Sequence, residues 1–305
     1  MVKDESRMKK NAIKISKSEK MFNCFNIAFM LIMMFIMFYP IWHVLCASFS
    51  NPRQLSAHSG LLLWPDGYSL SAYKLMIKNP MIFKGYFNTL IILVLGLAIN
   101  MFMTCLAAYI LSRRNLMLNK PITLLIIFTM YFSGGLIPTY LNVLDLGMLD
   151  TYWAIIIPGA INTYNMIVLR TGFASVPQSL EEAAIIDGAS NLRVLWRIIL
   201  PLSRATVAVI VLYYAVAHWN SWFNAMLYLN TRDKFPIQLI LREILINNDT
   251  TSMISAVDVG AGDSSFVSET VKYAVIIVST LPILCAYPFV QKYFTKGVMI
   301  GAVKG

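Results

Sequence analysis

Residues 181–201, EEAAIIDGASNLRVLWRIILP, form a polar stretch rich in small residues, set between two long apolar runs. Ser179 and Glu182, three residues apart, have the form of a capping box, so the spacing predicts a short helix from near Leu180. Asp187-Gly188 should end it, because glycine accepts the positive φ at which a chain leaves a helix. A second helix is predicted from about Ser190, with Leu192, Leu195, Trp196 and Ile199 as one apolar stripe and Arg193 and Arg197 on another side. Pro201 should kink or stop it. Ala183 and Ala184 leave the backbone beside Glu182 open to close approach. Two readings follow from these residues alone: a docking surface for another protein, or an interfacial helix pair lying on lipid head groups.

The flanks decide the environment. The chain has 305 residues, 58% hydrophobic and 13% charged, against roughly 25% charged in ordinary soluble domains. This is the composition of an all-α integral membrane protein. Uncharged runs occupy 21–52, 85–112, 121–144, 151–169, 205–231 and 273–291, and predict six transmembrane helices. They divide the chain into a basic arm (1–20), a membrane domain (21–291) with a polar loop at 170–204 and a longer loop at 232–272, and a tail (292–305). The third run is broken by Ser133-Gly134-Gly135 and Pro138 and is expected to face the bundle interior, where neighbours satisfy the freed backbone groups. Cys24, Cys46, Cys105 and Cys285 show no CxxC or His pairing and read as small buried hydrophobes.

A net charge of +10 would suggest nucleic acid for a soluble domain, but here its distribution has another cause. With both termini in the cytoplasm, 17 of the 25 lysines and arginines and 6 of the 15 acids fall on inner segments. The bias recurs in every inner loop, and it places Glu182 in the cytoplasm.

No Asp, Glu, Lys or Arg lies inside any of the six runs, which argues against an ion-coupled carrier. No G-x-x-x-x-G-K-[ST] phosphate loop occurs, so ATP chemistry needs a partner chain. No metal-ligand cluster and no catalytic triad stands out, so no catalytic residue, metal or bound cofactor is expected. In the fifth run, Tyr213, Ala217, Asn220 and Asn224 should share one helix face, with Tyr214, His218 and Trp222 on the adjacent one. Asn162, Tyr164 and Asn165 give the fourth run a similar character. Aromatic faces and amides at these positions fit a sugar path. They fit equally an interfacial aromatic belt with amides joining helices.

Glu182-Ala183-Ala184, three residues, Gly188, nine residues, then Ile198-x-Leu200-Pro201 resembles at every specified position the EAA loop of ABC importer permeases. FSGGLIPTYL (132–141), HWNSWFNAMLYL (218–229) and the closing stretch through GVMIGAVKG resemble the carbohydrate-uptake branch, nearest its complex oligosaccharide and uronide subgroup. The resemblance implies a type I permease fold in a bacterial cell membrane. It implies that Glu182, Ala183, Ala184, Gly188, Ile198, Leu200 and Pro201 couple the chain to an ATPase. Implied partners are a second, homologous permease in a heterodimer, two subunits that bind ATP and Mg, and an extracellular solute-binding protein, with no nucleic acid. The expected function is ATP-driven import of oligosaccharides by alternating access. An ATP-independent carrier or channel, or another small polar solute, is the alternative.

Overall fold

A computed structural model describes residues 16–113, 117–246, 269–285 and 288. Most of the basic arm, the tail and the centre of the 232–272 loop lie outside the described residues. All regular structure among the described residues is helical.

The first helix, α1 (Lys17–Ser48), begins behind Ser16, whose hydroxyl accepts from the Glu19 N–H at 3.1 Å. It is apolar and exposed until its last turn, where Cys46, Ala47 and Ser48 are buried. There the following loop hooks onto it: Trp42 Nε1 donates to the Leu63 carbonyl at 2.8 Å, and Tyr39 Oη accepts from the Leu62 N–H at 3.1 Å. Two short helices follow, α2 (Pro52–Ala57) and α3 (Ser71–Lys78).

The axis of the chain is α4 (Pro80–Ser112). Asn79 caps it, accepting from the Met81 N–H at 2.8 Å, and Pro80 occupies a first-turn position where its missing N–H costs nothing. Its buried stripe contains Gly85, Asn88, Thr89, Gly96, Asn100, Thr104 and Ala108, while Phe83, Phe87, Val94 and Phe102 point outward. Lipid tails are as apolar as leucine, so helices associate in a membrane through close approach and hydrogen bonds. The inner stripe of α4 supplies both.

Against α4 pack α8 (Thr163–Ala174), α11 (Arg204–Trp219) and α13 (Ile237–Ile246). Between α4 and α8 lie α5 (Asn119–Tyr131), α6 (Leu136–Asp145) and the single turn α7 (Trp153–Ile156). Between α8 and α11 lie α9 (Gln178–Ile186) and α10 (Asn191–Leu202); α12 (Trp222–Tyr228) follows α11.

Among the described residues two helices, α1 and α4, are long and apolar enough to cross a membrane unaided, and two bent pairs could each supply another span. The first pair is α5 with α6, bent by 108° where Gly135 takes φ +89°. The expectation that this run faces the bundle interior holds only in part for α5, which buries no residue fully but packs Ile126 on the core. The bend is the reason: it turns α6 inward instead, where Val143 packs with Ala154 and Tyr228. Cys46 and Cys105 are buried as expected, but Cys24 and Cys285 are exposed, because both sit on apolar surface that no other described residue covers.

Candidate coupling loop and transport face

The polar loop forms a helical hairpin. Its first helix, α9, starts at Gln178 behind Pro177, earlier than the capping-box reading placed it, and has no side-chain cap. Proline disfavours helical geometry in the residue before it, so Val176-Pro177 sets the start, and Ser179 lies inside the first turn. Glu182 accepts instead from Gln178 Nε2, at 2.9 Å. The other end is as the sequence predicts. Gly188 takes φ +80°, its N–H donates to the Ile185 carbonyl at 3.0 Å, and the Ala189 N–H donates to Ala184 at 2.9 Å, a Schellman closure.

In α10 residues 195–199 form a wide π turn, with the Leu200 N–H donating to the Leu195 carbonyl. Pro201 has no N–H for the carbonyl four residues back, and the helix widens just before it. The predicted stripe is therefore only half right. Leu195 and Ile199 are buried together with Val194, whereas Leu192 and Trp196 are exposed. The chain then bends by 90° into α11.

Of the residues expected to couple the chain to an ATPase, Glu182, Ala183, Gly188 and Pro201 are exposed, and Ala184, Ile198 and Leu200 are half-buried against the core of α4, α8 and α10. Around Glu182, Leu180, Ile185, Ile186, Leu192 and Trp196 expose apolar surface. Such a patch on a polar loop marks a contact surface.

Glu181 was not among the residues singled out from the sequence. It is buried, accepts from Tyr109 Oη at 2.9 Å, and pairs through its other oxygen with Arg113 Nη1. The Arg113 guanidinium lies 4.8 Å from the Tyr109 ring centroid and also reaches the Phe173 carbonyl, at 3.5 Å. Burial presses its pKa below the usual arginine value and Tyr109 opposes this, so it remains a cation. Through this clasp α9 is tied to the ends of α4 and α8. Beside it lies a cleft of about 640 Å³ lined by Tyr109, Arg113, Phe173, Gln178, Glu182 and Ile185. The available signal was the pair of adjacent acids: successive helical side chains point about 100° apart, so one faces out and the other in.

The structure separates the transport-face candidates into two sets. Tyr214 is buried, sharing a hydrogen bond with Thr104 Oγ1 at 2.8 Å and accepting from the Asn162 N–H at 2.9 Å. His218 is buried with Nε2 on Asn100 Oδ1 at 2.9 Å, and Asn100 Nδ2 donates to the Gly159 carbonyl at 2.7 Å. Asn162 caps α8, accepting from the N–H of the buried Asn165 at 3.0 Å. These four residues tie α4, α8 and α11 together. Tyr213 and Tyr164 are exposed with ring centroids 6.4 Å apart, and Asn220, Trp222 and Asn224 are exposed beyond α11. The continuous face expected from Tyr213 to Asn224 is interrupted, because α11 stops at Trp219. Ser221 bonds the His218 carbonyl through its own hydroxyl at 2.8 Å, competing with the helical ladder at the break.

The family described as binding-protein-dependent transport system inner membrane component matches residues 106–300. The chain belongs to that family. The permease is 42% identical over 286 residues to the polygalacturonan/rhamnogalacturonan transport system permease protein of Bacillus subtilis (strain 168), covering 94% of this chain and 99% of that one. It is 28% identical over 253 residues to the melibiose/raffinose/stachyose import permease protein of the same organism, covering 81% and 86%. Among solved structures, a bacterial ABC transporter involved in the import of the acidic polysaccharide alginate matches with TM-score 0.83 and 32% identity, over 92% of this chain and 98% of that chain. The permease is thus a multi-pass inner-membrane subunit of a bacterial binding-protein-dependent importer and shares the fold of such permeases.

Proposed function

We propose that this permease conducts acidic, uronate-containing oligosaccharides into the cell as one half of a heterodimeric pore. Two ATP-binding subunits carry ATP and Mg on the cytoplasmic side, and a solute-binding protein delivers the sugar outside. The chain crosses the membrane six times, with both termini inside. The carbohydrate class is supported by the relatives named for polygalacturonan/rhamnogalacturonan and alginate transport.

The observation that carries the mechanism is the position of Glu181. It joins the exposed coupling helix to the end of the longest buried helix, so a push on α9 is a push on α4. ATP binding closes the ATPase pair, α9 moves with the cleft that holds it through Glu182, Ala183, Ala184 and Gly188, and the spans open outward. Hydrolysis resets them. Ile198 and Leu200 hold the second arm of the hairpin against the core, and Pro201 closes that arm. Tyr213, Tyr164, Asn220, Trp222 and Asn224 line the sugar path, while Tyr214, His218, Asn162 and Asn165 hold its walls in register.

The test is ATP hydrolysis by the reconstituted complex with its binding protein, with and without oligouronates, for the wild type and Glu182→Lys. Sugar-stimulated hydrolysis that disappears in the variant is the expected result. Uptake by this chain without any ATPase would overturn the proposal.

A further inference from the structure

In the topology proposed above, a group of charges lies on the outer side of the chain. Lys84 pairs with Asp233 at 2.9 Å, Lys234 with Asp150 at 2.7 Å, and Arg232 with Glu243 at 3.2 Å. Arg242 stands next to Glu243 yet faces no carboxylate among the described residues. Its guanidinium lies over the Trp222 ring, 5.1 Å from the centroid, and its Nε is buried without a hydrogen-bond partner among the described residues. Trp219 Nε1 is a second buried donor without a partner among the described residues, and Trp219 packs with Ile240 and Ile244 of the helix that carries Arg242. Both unpaired donors therefore flank the break between α11 and α12. Buried donors normally find acceptors, and an N–H that loses water without one is held at a cost.

We infer that Arg242, seated on Trp222, receives the carboxylate of a uronic acid residue as the sugar enters the permease. The planar fork of an arginine matches two carboxylate oxygens at once, which a neutral hydroxyl cannot reproduce. The aromatic ring behind it fixes the plane of the fork and favours its charge. Trp222 keeps 39% of its surface exposed, enough to meet the C–H face of the same sugar. Asn220 and Asn224, exposed on either side of it in the chain, supply amides for the hydroxyls. The site lies where the span is interrupted, so it belongs to the outer end of the path rather than to the hydrogen-bonded wall of Tyr214 and His218. This inference rests on the acidic-oligosaccharide reading above.

The test uses the complete reconstituted complex and one oligogalacturonate in two forms, the free acid and its methyl ester. In Arg242→Gln, KM for uptake of the free acid should rise about tenfold, the loss of one charge-assisted contact, with uptake of the ester unchanged. Arg242→Lys keeps the charge without the fork and should fall between Arg242→Gln and the wild type. ATP hydrolysis stimulated by ester-loaded binding protein reports that each variant complex is assembled. Equal loss of both forms would overturn the site and make Arg242 a packing residue or a contact for the binding protein. Undiminished uptake of the acid would also overturn it. A wild-type complex that hydrolyses ATP but moves neither form would defeat the oligouronate reading itself, and the site with it.

Discussion

Gly96 lies directly beneath the His218 imidazole: a Cβ at this position would fall 2.5 Å from Nε2, the nitrogen that bonds Asn100 Oδ1 at 2.9 Å. The contact between α4 and α11 is closed by an absent side chain and a buried hydrogen bond together. Gly96→Ala should push the imidazole aside and cost about 1–3 kcal/mol, the usual penalty of overpacking. Thermal unfolding in detergent checks this, and a variant as stable as the wild type would show that α11 can shift without loss.

The clasp gives a second expectation. Removing one partner of a buried ion pair strands the other, at about 3 kcal/mol or more. Glu181→Gln and Arg113→Gln should each lower stability and, more tellingly, raise the ATP hydrolysed per sugar imported, because α9 would move without carrying α4. The exchange Arg113→Glu with Glu181→Arg should recover part of the coupling. Unaltered stoichiometry in both single variants would mean that motion reaches the spans by another route.

At Gly188 the backbone, not the space, is limiting. Among the described residues nothing lies within 4 Å of an added Cβ, but φ is +80°. Gly188→Asn should retain uptake, since asparagine tolerates this region, whereas Gly188→Val should abolish it at a local cost of about 1–2 kcal/mol. Loss of uptake in Gly188→Asn as well would reveal a partner surface pressed against the turn.

Asp150 ties the loop before α7 to the loop after α12. It takes φ +55° and accepts from the Asn230 N–H at 3.0 Å, the Thr231 N–H at 2.9 Å, Thr231 Oγ1 at 2.6 Å and Lys234 Nζ at 2.7 Å. Lys234 foremost, then Thr231, holds its carboxyl well below the ordinary carboxylate range. A depressed carboxylate stabilises fully above its unfolded value of about 3.9, and the contribution is lost as pH falls through the folded one. Wild-type stability from this group should therefore be flat between pH 5 and 8, which brackets about neutral conditions, and decline only in stronger acid. Asp150→Asn should unfold at a lower temperature throughout that range; a difference that grows with pH above neutrality would contradict the assignment.

Much of this protein was legible in its residues. Uncharged runs gave the membrane class, and the spacing from Glu182 to Pro201 marked the hairpin proposed above as the coupling loop, because a docking helix must show its small and acidic residues in order along one short segment. The Schellman turn at Gly188 was legible for the same reason: it depends on neighbours in sequence. What tertiary structure decided were matters of partnership. Glu181 and Glu182 are chemically identical, and only the arrival of Tyr109 and Arg113 from 72 and 68 residues away makes one a buried strut and leaves the other exposed. Tyr214 and His218 could line a path or join helices until Thr104 and Asn100 met them across 110 and 118 residues. Periodicity reports which face of a helix is polar. Whether that face meets sugar, lipid or another helix depends on packing, and in a membrane packing is set by where small residues and hydrogen-bonding groups coincide in space.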